Sequence, residues 1–257
     1  MAIRSRAMPE SRSEDVEAPL SPGEWATVSE QRALVYGWLS TLYAAEIPQA
    51  RLAAYLAGEA APLLEGFATM GLGAEAGRLQ AAIDALREVR DAHLELAADF
   101  AQLFLLDASA GALPYASAHD AGQGHLFGPA EARMRAFLAR ASLAIRDDFK
   151  EPADHLAVHL ALMARIAQEQ AGAADVAEAA RDQAAFLRDA LLPWLPSFAA
   201  RSQRASPRLD LYPALAALLL ALVEHDAGFL GDVAASFARG GPSPASCGSP
   251  SRRRRSG

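Results

Sequence analysis

Hydrophobic residues recur every three or four positions along most of the chain, the spacing that places side chains on one face of an α-helix. In the first such segment Leu34, Trp38, Leu39 and Leu42 follow this spacing and predict one buried face. Prolines, glycines and charged residues interrupt the pattern and mark the ends of the segments. The predicted helices are residues 24–45, 48–57, 60–70, 74–105, 129–141, 152–170, 174–192 and 210–238.

The longest of these segments, residues 74–105, is predicted to be one continuous helix. It follows Gly71 and Gly73, which break the preceding helix. Its apolar residues recur at helical spacing and predict a single buried side, formed by Leu79, Ile83, Leu86, Leu94 and Phe100.

Two segments depart from the helical pattern. Residues 107–129 are rich in glycine and proline and predict a long loop, a feature that is usually functional or disordered. Residues 146–151 form a charged hinge, after which Pro152 is predicted to open the next helix. Aromatic and apolar residues in the long loop indicate that it packs against the domain: Tyr115, Leu126 and Phe127.

These elements predict an all-α protein, a single helical domain of about ten helices with a long internal loop and a hinge near residues 146–151. The domain covers residues 24–238, and 52% of the 257 residues are hydrophobic, which is enough for one substantial core. Residues 1–23 are polar and lack periodicity, so they predict a disordered N-terminal arm. Residues 239–257 are rich in Arg, Ser, Gly and Pro and predict a disordered tail.

The formal net charge is −7, and four of the arginines, residues 252–255, lie in the predicted tail. The folded part therefore lacks the basic footprint of a nucleic-acid-binding protein.

The single cysteine, Cys247, also lies in the tail, which excludes a disulfide within the chain and fits a reducing compartment. The N-terminal residues lack an apolar signal-peptide core. The longest apolar stretch, residues 214–223, is shorter than the about 20 residues that span a bilayer, so we expect a cytoplasmic protein without membrane insertion.

Three segments carry a resemblance to a known family. The first contains Leu103-Phe104-Leu105 and, within the long loop, Pro114-Tyr115-Ala116-Ser117. The second is Glu151-Pro152-Ala153-Asp154-His155, an E-P-x-D-H sequence. The third combines Phe186-Leu187, Leu191, Trp194, Pro196 and Phe198 with Tyr212 and Leu215-Ala216. In this order, and over about residues 30–235, they resemble the TorD/DmsD family of molybdoenzyme maturation chaperones.

This resemblance implies a cytoplasmic chaperone and not an enzyme. Its expected partners are the precursor of a molybdenum-containing oxidoreductase and the twin-arginine signal peptide of that precursor. Binding would support cofactor insertion and delay export until folding is complete. The resemblance also implies a monomer or a helix-exchanged dimer. Weak binding of guanine nucleotides is the only cofactor expectation that it carries.

The resemblance associates peptide binding with the hinge and the loop before it, and we carry this over to Glu151, Asp154 and His155. Asp147 and Asp148 are added from charge alone, because carboxylates bind the guanidinium groups of paired arginines in bidentate geometry. The alternative for Glu151 and Asp154 is helix initiation, with Glu151 as a cap and Asp154 in the first turn of the helix predicted from residue 152.

An apolar groove would hold the hydrophobic part of a signal peptide as a helix. The candidate groove residues are Tyr115, Leu126, Phe127 and Trp194. Ordinary packing in the core is the alternative for each of them.

Two other functions stay open from the residues alone. His155 and His159 share a helix face at a spacing that can bind zinc, which would make the chain a metal-dependent helical hydrolase. The residue after His155 is Leu156 rather than the Glu that serves as general base in such enzymes, so we predict no metal and expect His155 to cap a helix or contact a peptide. A third ligand would have to be His119, Asp120, His125 or His225. The tail arginines would instead suit a nucleic-acid or membrane adaptor.

Overall fold

The computed structural model describes residues 20–106, 110–119 and 128–239. Within these ranges the chain is all-α, as predicted, and no described residue belongs to a β-strand. Short π-helical segments follow α3, α5 and α8, and 3-10 turns follow α4 and α7. The α-helices are α1 Pro22–Ala44, α2 Gln49–Leu56, α3 Ala61–Phe67, α4 Gly73–Ala85, α5 Ala92–Ala101, α6 Pro129–Arg140, α7 Leu156–Glu169, α8 Val176–Phe186, α9 Leu195–Arg204 and α10 Leu211–Arg239.

Helix α1 begins two residues before its predicted start because the sequence supplies a capping box there. The Ser21 hydroxyl accepts a hydrogen bond from the Glu24 amide at 3.3 Å, and the Glu24 carboxylate accepts one from the Ser21 amide at 2.8 Å. This reciprocal pair satisfies two of the free amides at a helix start. The rest of the predicted N-terminal arm and of the predicted C-terminal tail lies outside the described residues.

The segment predicted as one helix over residues 74–105 is two helices, so that prediction was wrong. Between α4 and α5 the backbone of Val89 is extended and Asp91 adopts a left-handed conformation with φ of 55°. This break shifts the helical register by which buried positions recur. Leu94, predicted to be buried, is therefore 59% exposed, while Leu96 is fully buried. The other four predicted core positions of this segment are buried, as expected.

The buried face of α1 also differs from the predicted one. Leu39 and Leu42 are buried and Trp38 is half-buried, but Leu34 is 75% exposed. Large aromatic residues and one arginine occupy the inner face instead, and the helix is rotated to bury them. These inward residues include Trp25, Arg32, Tyr36 and Tyr43. Aliphatic spacing alone missed this rotation because a buried arginine does not register in a hydrophobic pattern.

Helix α10 lies in the core and packs against α4, α8 and α9, while α1 packs along α7. Residues Leu211–Phe237 are long and apolar enough to span a membrane by length and composition, which the shorter apolar stretch in the sequence did not indicate. Half of an 18-residue apolar stretch within this segment is buried in the domain. Leu215, Leu219 and Val223 are almost fully enclosed, so this hydrophobicity is used for core packing.

A buried ion pair connects α1 to α10. Arg32 Nε and Nη2 donate to the two carboxylate oxygens of Asp226 at 2.6 and 2.9 Å, and Tyr36 Oη donates to the same carboxylate at 2.7 Å. Arg32 Nη1 donates to Gln183 of α8 at 2.6 Å. Burial, followed by the charge of Asp226, raises the pKa of Tyr36 well above its usual value, so the phenol stays a donor. Three helices are thus tied together by one guanidinium group.

We expect Asp226→Ala to lower the free energy of unfolding by about 3–5 kcal/mol, because it leaves the Arg32 charge buried without its counter-ion. Chemical denaturation followed by circular dichroism measures this loss. Arg78→Ala is the matched control, since Arg78 and Asp210 form a similar bidentate pair on the surface. Loss of that exposed pair should cost less than about 1 kcal/mol. Equal losses of unfolding free energy in the two variants would show that burial does not increase the contribution of the ion pair to stability.

Candidate functional site

Part of the long loop, residues 110–119, is fastened to the start of α7. The Leu156 amide donates to the Pro114 carbonyl at 2.7 Å, and the Ala116 amide donates to the Asp154 carbonyl at 3.1 Å. The Ser117 amide donates to Asp154 Oδ2 at 2.9 Å. Two segments of the family resemblance, which are distant in sequence, are therefore in direct contact.

Helix α7 begins at Leu156 and not at Pro152 as predicted. His155 is the N-cap, and its Nδ1 accepts a hydrogen bond from the Ala157 amide at 3.1 Å, which confirms the expected helix-capping role. Asp154 therefore precedes the helix and is not in its first turn. Glu151 does not cap the helix either, because its carboxylate accepts a hydrogen bond from Tyr115 Oη at 2.5 Å.

Aromatic contacts join the hinge to the core through His155. Its ring lies edge-on to Tyr115 at 5.0 Å and to Phe149 of the hinge at 5.4 Å, measured between ring centroids. Trp194 lies 5.6 Å from the ring of His159, one turn further along α7. Tyr115 and Trp194 are 7% and 3% exposed, so both follow the core-packing alternative in this conformation. Phe127 and Leu126 lie outside the described residues.

The two aspartates of the hinge are the exposed carboxylates of the site. The Asp148 carboxylate accepts hydrogen bonds from Arg146 Nε at 3.0 Å and from Arg146 Nη2 at 2.6 Å. The hydrogen bond from Arg146 lowers the pKa of Asp148 below its usual range. Among the described residues the Asp147 carboxylate has no hydrogen-bond or ion-pair partner, although its carbonyl accepts from the Lys150 ammonium group. Asp147 is thus open to a cationic partner.

Asp154 is fully buried, in contrast to the hinge aspartates. Its Oδ1 and the nearby Ser117 Oγ lack hydrogen-bond partners within the described part of the chain. Leaving such buried polar atoms unsatisfied costs free energy. A peptide would reach Asp154 only if the loop separated from α7, so the direct contact predicted for Asp154 stays a prediction.

The pair His155 and His159 is poorly arranged for a metal ion. His155 Nδ1 accepts a hydrogen bond from the Ala157 amide, so Nε2 carries the proton of the neutral ring and is not available as a ligand. His159 Nδ1 lies 3.1 Å from the His155 carbonyl, to which it can only donate, so His159 Nε2 alone of the pair offers a lone pair. No cluster of three metal-binding side chains occurs among the described residues. Of the proposed third ligands, His119 stacks on Trp194, His225 is exposed on α10, and Asp120 and His125 lie outside the described ranges.

A cavity of about 650 Å³ lies directly beside the hinge, between α1, α6 and α7. Its lining is mostly apolar and also includes Arg146 and Asp148 of the hinge. Sequence reasoning missed this cavity because it assigned the groove to the aromatic residues of the long loop. The available signal was the presence of Leu143 and Ile145 directly before the charged hinge and of Phe149 within it. The apolar lining includes Leu138, Leu143, Ile145, Phe149, Val158 and Leu162.

We expect the domain to lose stability as the pH falls below about 6.5, the ordinary pKa of histidine. Burial, and then the charge of His159, lower the pKa of His155 to about 3, and burial lowers that of His159 to about 4. The unfolded chain therefore binds protons that the folded chain rejects, so stability is present above pH 6.5 and declines towards pH 3. Lowering the pH from about 7.5 to about 5 should cost about 2 kcal/mol through His155.

The variant His155→Asn tests this, because Asn keeps an N-cap acceptor and does not titrate. Its free energy of unfolding should vary less with pH than that of the unaltered protein. His225→Asn, at an exposed histidine, is the control and should keep the original pH dependence. An unchanged slope in His155→Asn would exclude His155 as the source.

Comparisons with known proteins identify the family. Residues 69–200 match the family model described as nitrate reductase delta subunit. The chain is 37% identical over 214 residues to the chaperone protein TorD of Psychrobacter sp. (strain PRwf-1), covering 82% of this chain and 96% of that protein. It is 38% identical over 210 residues to the chaperone protein TorD of Vibrio vulnificus (strain YJ016), covering 79% and 95%.

The resemblance seen in the sequence is confirmed by these matches, and a metal-dependent hydrolase is not favoured because the relatives are chaperones. The chain therefore belongs to the TorD family of molybdoenzyme maturation chaperones and is not an enzyme.

Proposed function

We propose that this chaperone acts in the cytoplasm by binding the twin-arginine signal peptide of a molybdoenzyme precursor, and so delays export until the cofactor is inserted. The observation that carries the proposal is the position of two exposed carboxylates, Asp147 and Asp148, at the hinge that borders an apolar cavity. A signal peptide has the matching order of features, because a positively charged segment precedes an apolar one.

The hinge offers the geometry that arginine requires. Arg146 already forms a two-point contact with Asp148, which is the arrangement that a peptide guanidinium would adopt after displacing Arg146. Arg146 and Asp148 are largely exposed, so the ion pair between them is weak. A peptide arginine can therefore displace Arg146 with little loss of free energy. Asp147 supplies a second carboxylate for the second arginine. Lysine lacks the planar fork and would be bound less well.

Glu151, Asp154 and His155 act as supports for the hinge in this proposal. Glu151 and His155 contact Tyr115, and His155 also contacts Phe149. Asp154 accepts hydrogen bonds from backbone amides of the loop. Together these contacts fix where the hinge joins α7, and therefore the position of the exposed carboxylates. Their direct contact with peptide is a further stage, in which the loop at residues 110–119 opens. Tyr115 and Trp194 would become accessible in the same step.

Chaperone action here requires no bond to be made or broken. Burial of the apolar segment supplies affinity, and the carboxylates supply discrimination for paired arginines. Guanine-nucleotide binding and the exchange of helices between two copies stay predictions from the family resemblance.

Calorimetric titration tests the proposal with the twin-arginine signal peptide of a molybdoenzyme encoded near the gene. We expect binding at micromolar concentrations or tighter, and at least tenfold weaker binding when both arginines are replaced by lysine. The double variant Asp147→Asn, Asp148→Asn should lose at least tenfold in affinity for the arginine peptide. Asp232→Asn, which removes a carboxylate exposed on α10, should bind as the unaltered protein does.

Absence of binding by folded protein would reject signal-peptide recognition, and the chaperone would then recognise the mature enzyme alone. Equal affinity for the arginine and lysine peptides would show that the apolar segment alone is recognised.

A further inference from the structure

The cavity beside the hinge continues into a second one along the outer side of α1 and α7. The second cavity has a volume of about 580 Å³. Ser40, Ala161 and Arg165 line both cavities, so the two form one groove. We call this the α1–α7 groove. It runs from the hinge, near Ala45 and Phe149, to Glu30 and Gln168 at its far end.

The α1–α7 groove presents apolar surface that the domain itself does not cover. Leu34 lines its far half and is 75% exposed, although the sequence pattern assigned this leucine to the core. Leu143 and Phe149, in the hinge half, are only partly buried. Small side chains on both helices keep the floor of the groove low, among them Ala33, Gly37, Ala161 and Ala164.

We propose that the α1–α7 groove holds the apolar segment of the signal peptide as a helix, with its arginine end at the hinge and its other end towards Glu30 and Gln168. This deepens the proposed function and rests on it. The charges favour this direction, because Asp148 and its exposed neighbour Asp147 place two carboxylates at the hinge end, against one, Glu30, at the far end. An amphipathic or apolar helix in a hydrophobic groove is a common mode of peptide recognition.

The length of the groove fits this occupant. The lining residues of α7 extend from Ala157 to Gln168, which is about 16 Å at 1.5 Å per residue. A peptide helix of about eleven residues has the same length. The apolar segment of a signal peptide comprises about 7–15 residues. One such segment therefore covers the groove from the hinge to its far end.

Gly37 provides a way to fill the groove without disturbing the core. A Cβ atom added at Gly37 would have no heavy atom within 4 Å beyond its own helix and chain neighbours. The variant Gly37→Leu should fold, because leucine is a better helix former than glycine. Gly77→Leu on α4 is the matched control, since Gly77 is also helical and equally unobstructed.

The test is calorimetric titration of the full chain with the twin-arginine peptide and with a second peptide whose apolar leucines are replaced by serine. We expect Gly37→Leu to bind the first peptide at least tenfold more weakly than the unaltered protein and Gly77→Leu do. The serine peptide should bind the unaltered protein and Gly37→Leu equally weakly, because the groove no longer contributes in either case. Thermal unfolding verifies that both variants are folded.

Leu34→Ser is a second variant with little risk to the fold, because Leu34 is mostly exposed. It should weaken binding of the apolar peptide by about threefold to tenfold, in proportion to the apolar area it removes. If Gly37→Leu and Leu34→Ser bind that peptide as tightly as the unaltered protein, the apolar segment lies elsewhere and this inference is overturned. The hinge variants would in that case still test the proposed function separately. No binding by the unaltered protein overturns both.

Discussion

The hinge and the long loop both depend on one imidazole that must stay unprotonated. His155 Nδ1 accepts a hydrogen bond from the Ala157 amide in the first turn of α7, and only the neutral ring can accept there. The same ring lies between Tyr115 of the loop and Phe149 of the hinge. Protonation would turn an acceptor into a donor facing an N–H group and place a charge in a buried layer. Folding of this region and the position of the hinge carboxylates are therefore coupled through a single side chain.

Helix α1 carries large residues on two sides, an inner side that is buried and an outer side that is exposed, and this explains why the spacing of its hydrophobic residues mispredicted the buried face. The inner side carries Arg32 and Tyr36, whose link to Asp226 fixes the rotation of the helix against α10. That rotation turns Leu34 outward, onto the side that faces the α1–α7 groove. In the proposed complex the helix of the signal peptide would cover Leu34. The buried ion pair between Arg32 and Asp226 thus determines that Leu34, on the opposite side of α1, is exposed.

The sequence predicted most of the fold because helix spacing, prolines and glycines act locally. The bounds of α6 and α10 and the all-α class follow from such local signals. The break at Asp91 was missed because a left-handed non-glycine residue has no reliable local signal. The start of α7 was misplaced because Pro152 is a common first helical residue, whereas histidine is an uncommon cap. In this protein the contacts of His155 with Tyr115 and Phe149 override the local preference.

The site was predicted in part for a related reason. The E-P-x-D-H segment and the loop around Tyr115 do meet, since three backbone and side-chain hydrogen bonds join them. Asp147 and Asp148 were proposed from charge alone, and the structure shows that both are exposed. The apolar half of the site could not be found in the same way, because it is assembled from small residues on α1 and α7 and from partly buried residues of the hinge. A groove is defined by what the helices leave uncovered, and that quantity depends on how they are rotated against one another.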